Sequence, residues 1–117
     1  MHNFQIMIGV DIVDLSRIDP EDAAFVRHLL TPAEQEEFHA RKSAHRKTEY
    51  LGGRFAAKEA IFKATGDQMF LSYSVLTEVS GKPYVKDHPE LDVSISHDGG
   101  FAIAAVLCLK SQKGLAQ

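Results

Sequence analysis

The chain has 117 residues, of which 44% are apolar and 25% charged, the composition of one ordinary globular domain and not of a fibrous, low-complexity or disordered chain. Its formal charge of −3 argues against general nucleic-acid affinity. No apolar run approaches the roughly 20 residues that span a bilayer, and no basic segment precedes an apolar one at the start, so no membrane association and a cytoplasmic location are expected.

Phe4 to Val13 reads as a strand with Ile6, Ile8, Val10 and Ile12 on one face and Gly9 and Asp11 on the other, so Asp11 is expected to point away from its apolar neighbours. Asp19-Pro20 has the form of an N-cap with proline at the first helical position, opening a short helix through Leu30. Thr31-Pro32-Ala33-Glu34 is a capping box, and the second helix is expected to run to about Ser43. A third helix is expected from about His45 to Thr65, with Gly66 as its stop. Gly52 and Gly53 weaken it by about 1 kcal/mol each relative to alanine, or else admit another backbone at close range.

Beyond Gly66 the period becomes alternating. Strands are expected at Ser72 to Val79, at Tyr84-Val85 after a Gly81-Lys82-Pro83 turn, at Leu91 to His97 and at Phe101 to Lys110, with Asp98-Gly99-Gly100 as a hairpin turn. The tail Ser111 to Gln117 is expected to fray. One strand, three helices and about four short strands predict a single α+β domain over residues 1–117, its helices packed on a mainly antiparallel sheet.

Two segments concentrate the chemistry. Phe55-Ala56-Ala57-Lys58-Glu59-Ala60-Ile61-Phe62-Lys63-Ala64 has the composition of a buried helix yet places Glu59 and Lys63 on one face, and Ile8-Gly9-Val10-Asp11-Ile12 is an apolar strand broken by a carboxylate. Burying an unpaired charge is costly, so a cation, a metal or a charged ligand is expected to balance them. If the third helix crosses the first strand, Asp11 and Glu59 meet, and two carboxylates beside phosphate oxygens suit Mg²⁺. The plainer alternative is a salt bridge between Glu59 and Lys63 on their own helix.

Arg41, Lys42, His45, Arg46, Lys47, Arg54, Lys58 and Lys63 read either as solvated helix faces or, beside a metal, as the seat of a phosphate-rich small ligand. His97, at a strand end before a tight turn, is either a polar cap or a presented functional group. Gly81-Lys82-Pro83 taken alone is an ordinary turn. Walker, GxGxxG and GxSxG patterns are absent, and one cysteine with dispersed histidines does not make a zinc site. Cys108, in the run Phe101 to Leu109, is expected to be a buried structural thiol.

Taken in order, Gly9-Val10-Asp11-Ile12-Val13 with Arg17-Ile18, Gly53-Arg54-Phe55-Ala56-Ala57-Lys58-Glu59-Ala60 with Lys63-Ala64, Gly81-Lys82-Pro83, and Ser94-Ile95-Ser96-His97 resemble the short holo-acyl-carrier-protein synthases, a branch of the 4′-phosphopantetheinyl transferases. The resemblance runs from about Ile8 to Val106. It implies transfer of 4′-phosphopantetheine from coenzyme A to a serine of an apo-acyl carrier protein, releasing adenosine 3′,5′-bisphosphate, as part of fatty acid biosynthesis. It also implies Asp11 and Glu59 as ligands of Mg²⁺, Glu59 as acceptor of the serine proton, and Lys63 as the partner of the phosphates.

By the same resemblance Arg46, Lys47, Arg54 and Lys58 are contacts or supports for coenzyme A, with Gly81, Lys82, Pro83, Ser96 and His97 completing the nucleotide pocket. Arg17, Ile18, Phe25 and His28 form the carrier-docking surface. Short members of the family form trimers, which implies that one chain supplies Asp11, Glu59 and Lys63 and its neighbour His97 and the Gly81 turn. Three departures stand out: Gly66-Asp67-Gln68 replaces a glycine-rich loop, Phe62 replaces a frequent serine, and Asp19, Glu21 and Asp22 open a helix that is usually basic. They leave as the alternative a non-catalytic or weakly active module of the same fold that binds coenzyme A or a carrier protein.

Overall fold

In the computed structural model, which describes residues 3–111, β1 (Phe4–Asp14) is followed by a 3-10 turn and by three helices, α1 (Ala23–Leu29), α2 (Pro32–His39) and α3 (Ala44–Thr65). A second 3-10 turn, Phe70–Ser72, leads to β2 (Val75–Thr77), β3 (Pro83–Val85), β4 (Leu91–Asp98) and β5 (Phe101–Ser111). This is the expected α+β order. Of the expected frayed tail, all but Ser111 lies outside the described residues. β5 is the centre of an antiparallel sheet ordered β1-β5-β4, while β2 and β3 pair only with each other.

Local chemistry sets the helix limits. Thr31 and Glu34 form the full reciprocal capping box of α2, and Gly66, at φ 82°, closes α3. Helix α2 stops at His39, short of the expected Ser43, because the Ser43 side chain is committed as N-cap of α3, accepting from Arg46 N at 3.1 Å. Helix α1 starts later than expected: Asp19 caps a preceding turn by accepting from Glu21 N, and Asp22 is the true N-cap, accepting from Phe25 N at 3.1 Å. Strand β2 is shorter than Ser72 to Val79, because the chain before it winds so that Phe70 packs on Phe55 with ring centroids 6.5 Å apart.

Both faces of β1 and β5 are apolar, and the one that faces the core carries Gly9 and Asp11, opposite Ile6, Ile8, Val10 and Ile12. Ile6, Ile8, Val10 and Ile12 point outward and are more than half exposed, joined by Phe4 and by Phe101, Ile103, Leu107 and Leu109 of β5. The other face, with Gly9, Val13, Ala102, Ala104, Val106 and Cys108, packs under α3. Asp11 therefore points toward the helix. Small residues explain the choice: α3 presents Ala56, Ala57, Ala60 and Ala64, and a Cβ on Gly9 would overlap the Ala60 carbonyl oxygen. The close backbone approach thus occurs at Gly9, whereas Gly52 and Gly53 make room for the side chains of Leu15 and His97.

Candidate active site

Where β1 runs into its 3-10 turn and α1 and α3 lean over it, a cleft of about 440 Å³ opens, lined by Asp11, Asp14, Arg17, Asp19, Asp22 and Glu59. Ile18, Phe25 and Phe55 form its apolar wall, with the Phe25 and Phe55 rings edge to face at 5.4 Å. Asp11 arrives from the inward face of β1 and Glu59 from one side of α3, so two carboxylates distant in sequence share one space. Lys63, a turn beyond Glu59, donates from Nζ to Asp11 Oδ1 at 3.0 Å and to the Val10 carbonyl at 2.9 Å. The alternative, a helix salt bridge between Glu59 and Lys63, is not formed. Glu59 makes no ion pair or hydrogen bond with any described residue.

Arg17, Ile18 and Phe25 reach this cleft, and His28 is exposed on the last turn of α1. Asp14 is tied down locally, its Oδ1 accepting from Ser16 N and Oγ, which holds its carboxyl below the usual carboxylate range.

Other candidates stand elsewhere. His97 lies two strands across the sheet and donates from Nε2 to the Glu49 carbonyl at 2.9 Å, since a carbonyl only accepts. Ser96 is exposed on the outer side of β4. The Gly81 turn, at φ 93°, closes the β2–β3 hairpin, and Lys82 and Pro83 line a second cleft of about 360 Å³ with Ile8, Ser94 and Leu107 on the outer sheet face. Arg46 is exposed on the first turn of α3, while Lys47 lies over the Phe38 ring and lines a basic recess with Arg41 and Lys42.

Arg54 and Lys58, expected as contacts or supports for coenzyme A, are interior residues. Lys58 has no exposed surface and donates from Nζ to Glu34 Oε1 and to the Leu29 carbonyl, both at 2.6 Å. Burial pulls its ammonium below the usual lysine range, against the pull of Glu34. Arg54 donates to the Val75 carbonyl at 3.0 Å and to Thr77 Oγ1 at 2.8 Å, and stacks 4.1 Å from the Tyr50 ring centroid. Neither lines the cleft. Glu34 and Glu37 receive these cations; in sequence Glu34 stood out only as a capping residue. The available signal was a lysine set among Ala56, Ala57, Ala60 and Ile61, which obliges a buried carboxylate somewhere.

The model of the 4′-phosphopantetheinyl transferase superfamily matches residues 7–106. The chain belongs to this superfamily. A holo-[acyl-carrier-protein] synthase of Halalkalibacterium halodurans is 43% identical over 109 residues, covering 85% of this chain and 91% of that protein. Its counterpart in Enterococcus faecalis is 41% identical, covering 86% and 93%. Among solved transferases of the superfamily, the holo-(acyl-carrier-protein) synthase of Bacillus anthracis in complex with CoA (3′,5′-ADP) superposes with a TM-score of 0.81 at 36% identity, covering 92% of this chain and 99% of that one. The Helicobacter pylori holo-[acyl-carrier-protein] synthase in complex with coenzyme A gives 0.70 at 31% identity, covering 86% and 97%.

Proposed function

We propose that this chain transfers 4′-phosphopantetheine from coenzyme A to a serine hydroxyl of an apo-acyl carrier protein, with Mg²⁺ held by Asp11 and Glu59. The observation that carries the reading is the shared cleft of Asp11 and Glu59, with Lys63 bridging to Asp11, in a chain of this superfamily. The donor set fits the ion: both groups offer hard oxygens, and Glu59 has no competing partner among the described residues. Five carboxylates face a single guanidinium along the cleft, a field that attracts a divalent cation and would repel a bare pyrophosphate.

When bound, Mg²⁺ supplies electrostatic stabilisation to the pyrophosphate. Glu59 takes the proton from the serine hydroxyl as that oxygen attacks the β-phosphorus. The bond to the bridging oxygen breaks, and its electron pair leaves on adenosine 3′,5′-bisphosphate. Lys63, half exposed, turns its ammonium to the phosphate oxygens and steadies the departing group. Arg17, Ile18 and Phe25 on the cleft, with His28 beside them, receive the carrier.

A homotrimer completes the site. His97, Ser96, Lys82 and Pro83 do not line the cleft of their own chain, and the apolar outer face of β1 and β5 calls for cover. A neighbour seated on that face can bring its His97 and Gly81 turn to the coenzyme A nucleotide, with Arg46 and Lys47 as further phosphate contacts and Arg54 and Lys58 as supports from within. This reading assigns the protein to the cytoplasm and to fatty acid biosynthesis; among the described residues no helix is long and apolar enough to cross a membrane.

One observation favours the weakly active alternative. After Gly66 the backbone amides of Asp67 and Met69 are consumed locally, by Thr65 Oγ1 at 3.1 Å and Asp67 Oδ1 at 2.8 Å, so this connection offers fewer free donors to phosphate. Incubation with apo-carrier, coenzyme A and Mg²⁺, with and without EDTA, decides between them. Metal-dependent conversion over several turnovers supports the transferase, and binding without conversion supports the module.

A further inference from the structure

Helix α3 is joined to its neighbours by two ionic rungs one turn apart, the first fully buried and the second partly so. In the first, Lys58 Nζ donates to Glu34 Oε1, and Glu34 also accepts from Thr31 N at 2.8 Å and, through Oε2, from Val75 N at 2.7 Å. In the second, Arg54 Nη2 stands 3.4 Å from Glu37 Oε1, which also accepts from Tyr50 Oη at 2.9 Å and from Thr77 Oγ1 at 3.2 Å, while Oε2 accepts from Thr77 N at 3.0 Å. Val75 N, Val75 O and Thr77 N are backbone groups of β2, a strand paired only with β3. Acids of α2 and bases of α3 thus take the place of a missing strand at that edge. No buried side-chain nitrogen or oxygen among the described residues lacks a partner.

The consequence for the cleft lies in helix geometry. Successive residues are turned by about 100°, so a lysine pinned toward α2 and β2 fixes the direction of the next side chain, Glu59. A side-chain oxygen rides about 6 Å from the helix axis, and a rotation of about 20° moves it about 2 Å, the length of a whole Mg²⁺–oxygen bond. Close packing of small residues, Ala56, Ala57, Ala60 and Ala64 over Gly9, Ala102 and Ala104, sets the distance of α3 from the sheet, and the ionic rungs add directional contacts on the side away from it. We propose that the buried Glu34–Lys58 pair is a positioning device that sets the rotation of α3 and thereby aims Glu59 at the metal position in the cleft, Lys58 acting through Glu34 and without touching substrate. The proposal rests on the Asp11–Glu59 metal reading.

The test is direct Mn²⁺ binding to the full chain with coenzyme A, read from the free Mn²⁺ electron paramagnetic resonance signal, for wild type, Glu59→Gln, Lys58→Met and Glu34→Gln. Coenzyme A affinity and the thermal transition are measured in parallel. The expected result is that Lys58→Met and Glu34→Gln each weaken Mn²⁺ about tenfold while remaining folded at the assay temperature, a loss clearly larger than any they cause in coenzyme A affinity. Glu34→Gln keeps a capping-box residue and serves if Lys58→Met does not fold. Wild-type Mn²⁺ affinity in the folded variants, with Glu59→Gln impaired, overturns the positioning role alone. Equal losses of Mn²⁺ and coenzyme A affinity that track the loss of folded protein also overturn it, because they show a merely structural pair. Unimpaired Mn²⁺ binding in Glu59→Gln refutes the metal assignment itself, and the positioning role with it.

Discussion

Lys63 and Asp11 join the helix to the strand across the open end of the candidate site, Nζ to Oδ1 at 3.0 Å, with the Val10 carbonyl as a second acceptor. Half of the Lys63 side chain is exposed, so the contact contributes only about 0–1 kcal/mol to folding. In the proposed reaction its value lies in holding an exposed cation beside the cleft. Lys63→Met is therefore expected to leave the thermal transition within about 3 °C of wild type while lowering kcat by about a hundredfold, the usual scale for losing one charge-stabilising group. Circular dichroism and a steady-state assay check both. A large drop in melting temperature with unchanged kcat would make Lys63 a structural residue.

Gly9 tests the packing that brings Asp11 under α3. Any side chain there strikes the Ala60 carbonyl, a backbone atom that cannot step aside without moving the helix that carries Glu59. Gly9→Ala is expected to destabilise by about 1–3 kcal/mol, the common range for overpacking, and to reduce transfer more than its loss of folded protein accounts for. Chemical denaturation measures the first and activity per folded molecule the second.

Much of this arrangement was legible in the sequence, for reasons that can be named. The Thr31 capping box and the Gly66 stop act through atoms within a few residues of each other, so pattern alone located them. The inward face of β1 could not be read the same way. Periodicity separated Ile6, Ile8, Val10 and Ile12 from Gly9 and Asp11 without saying which set turns inward; close contact with an alanine-lined helix requires the face bearing Gly9, and the larger residues lie outside. That Arg54 and Lys58 lie in the interior could not be read from the chain, because their partners Glu37 and Glu34 sit on another helix and meet them only through tertiary contact. Asp11, Glu59 and Lys63 stood out because charge at apolar positions is costly, although the pairing of Lys63 with Asp11 depends on tertiary contact.

Assembly has its own test. Ile8→Asp on the exposed face of β1 is expected to yield monomers by light scattering, with transfer reduced at least tenfold although the Asp11 cleft remains intact. Co-refolding inactive Glu59→Ala with inactive His97→Ala is expected to restore part of the activity, because some interfaces then receive Glu59 from one chain and His97 from another. An active monomer, or no recovery in demonstrably mixed assemblies, would contradict shared sites.

Carrier docking is expected to show the mixed charge of the α1 entrance. Arg17 is the one cation on a cleft that also carries Asp19 and Asp22. Arg17→Ala is expected to raise KM for an acidic carrier about tenfold with little change in KM for coenzyme A. Asp22→Lys is expected to speed association at low salt, with the gain shrinking near physiological ionic strength, where the screening length is about 8 Å. Because Asp22 caps α1, Asp22→Asn, which can keep the cap, separates the charge effect from the capping effect. Unchanged carrier kinetics in Arg17→Ala would mean that the carrier approaches by another face.

The most direct measurement is intact-mass spectrometry of an apo-acyl carrier protein after incubation with coenzyme A and a series of Mg²⁺ concentrations, using wild type, Asp11→Ala and Glu59→Gln. Wild type is expected to add one phosphopantetheine per carrier in a saturable, EDTA-sensitive manner, while both variants, folded by circular dichroism, lose at least a hundredfold in rate at saturating Mg²⁺. Near-wild-type transfer by either variant, or equal transfer by wild type in EDTA, would contradict the two-carboxylate metal site at the centre of this account.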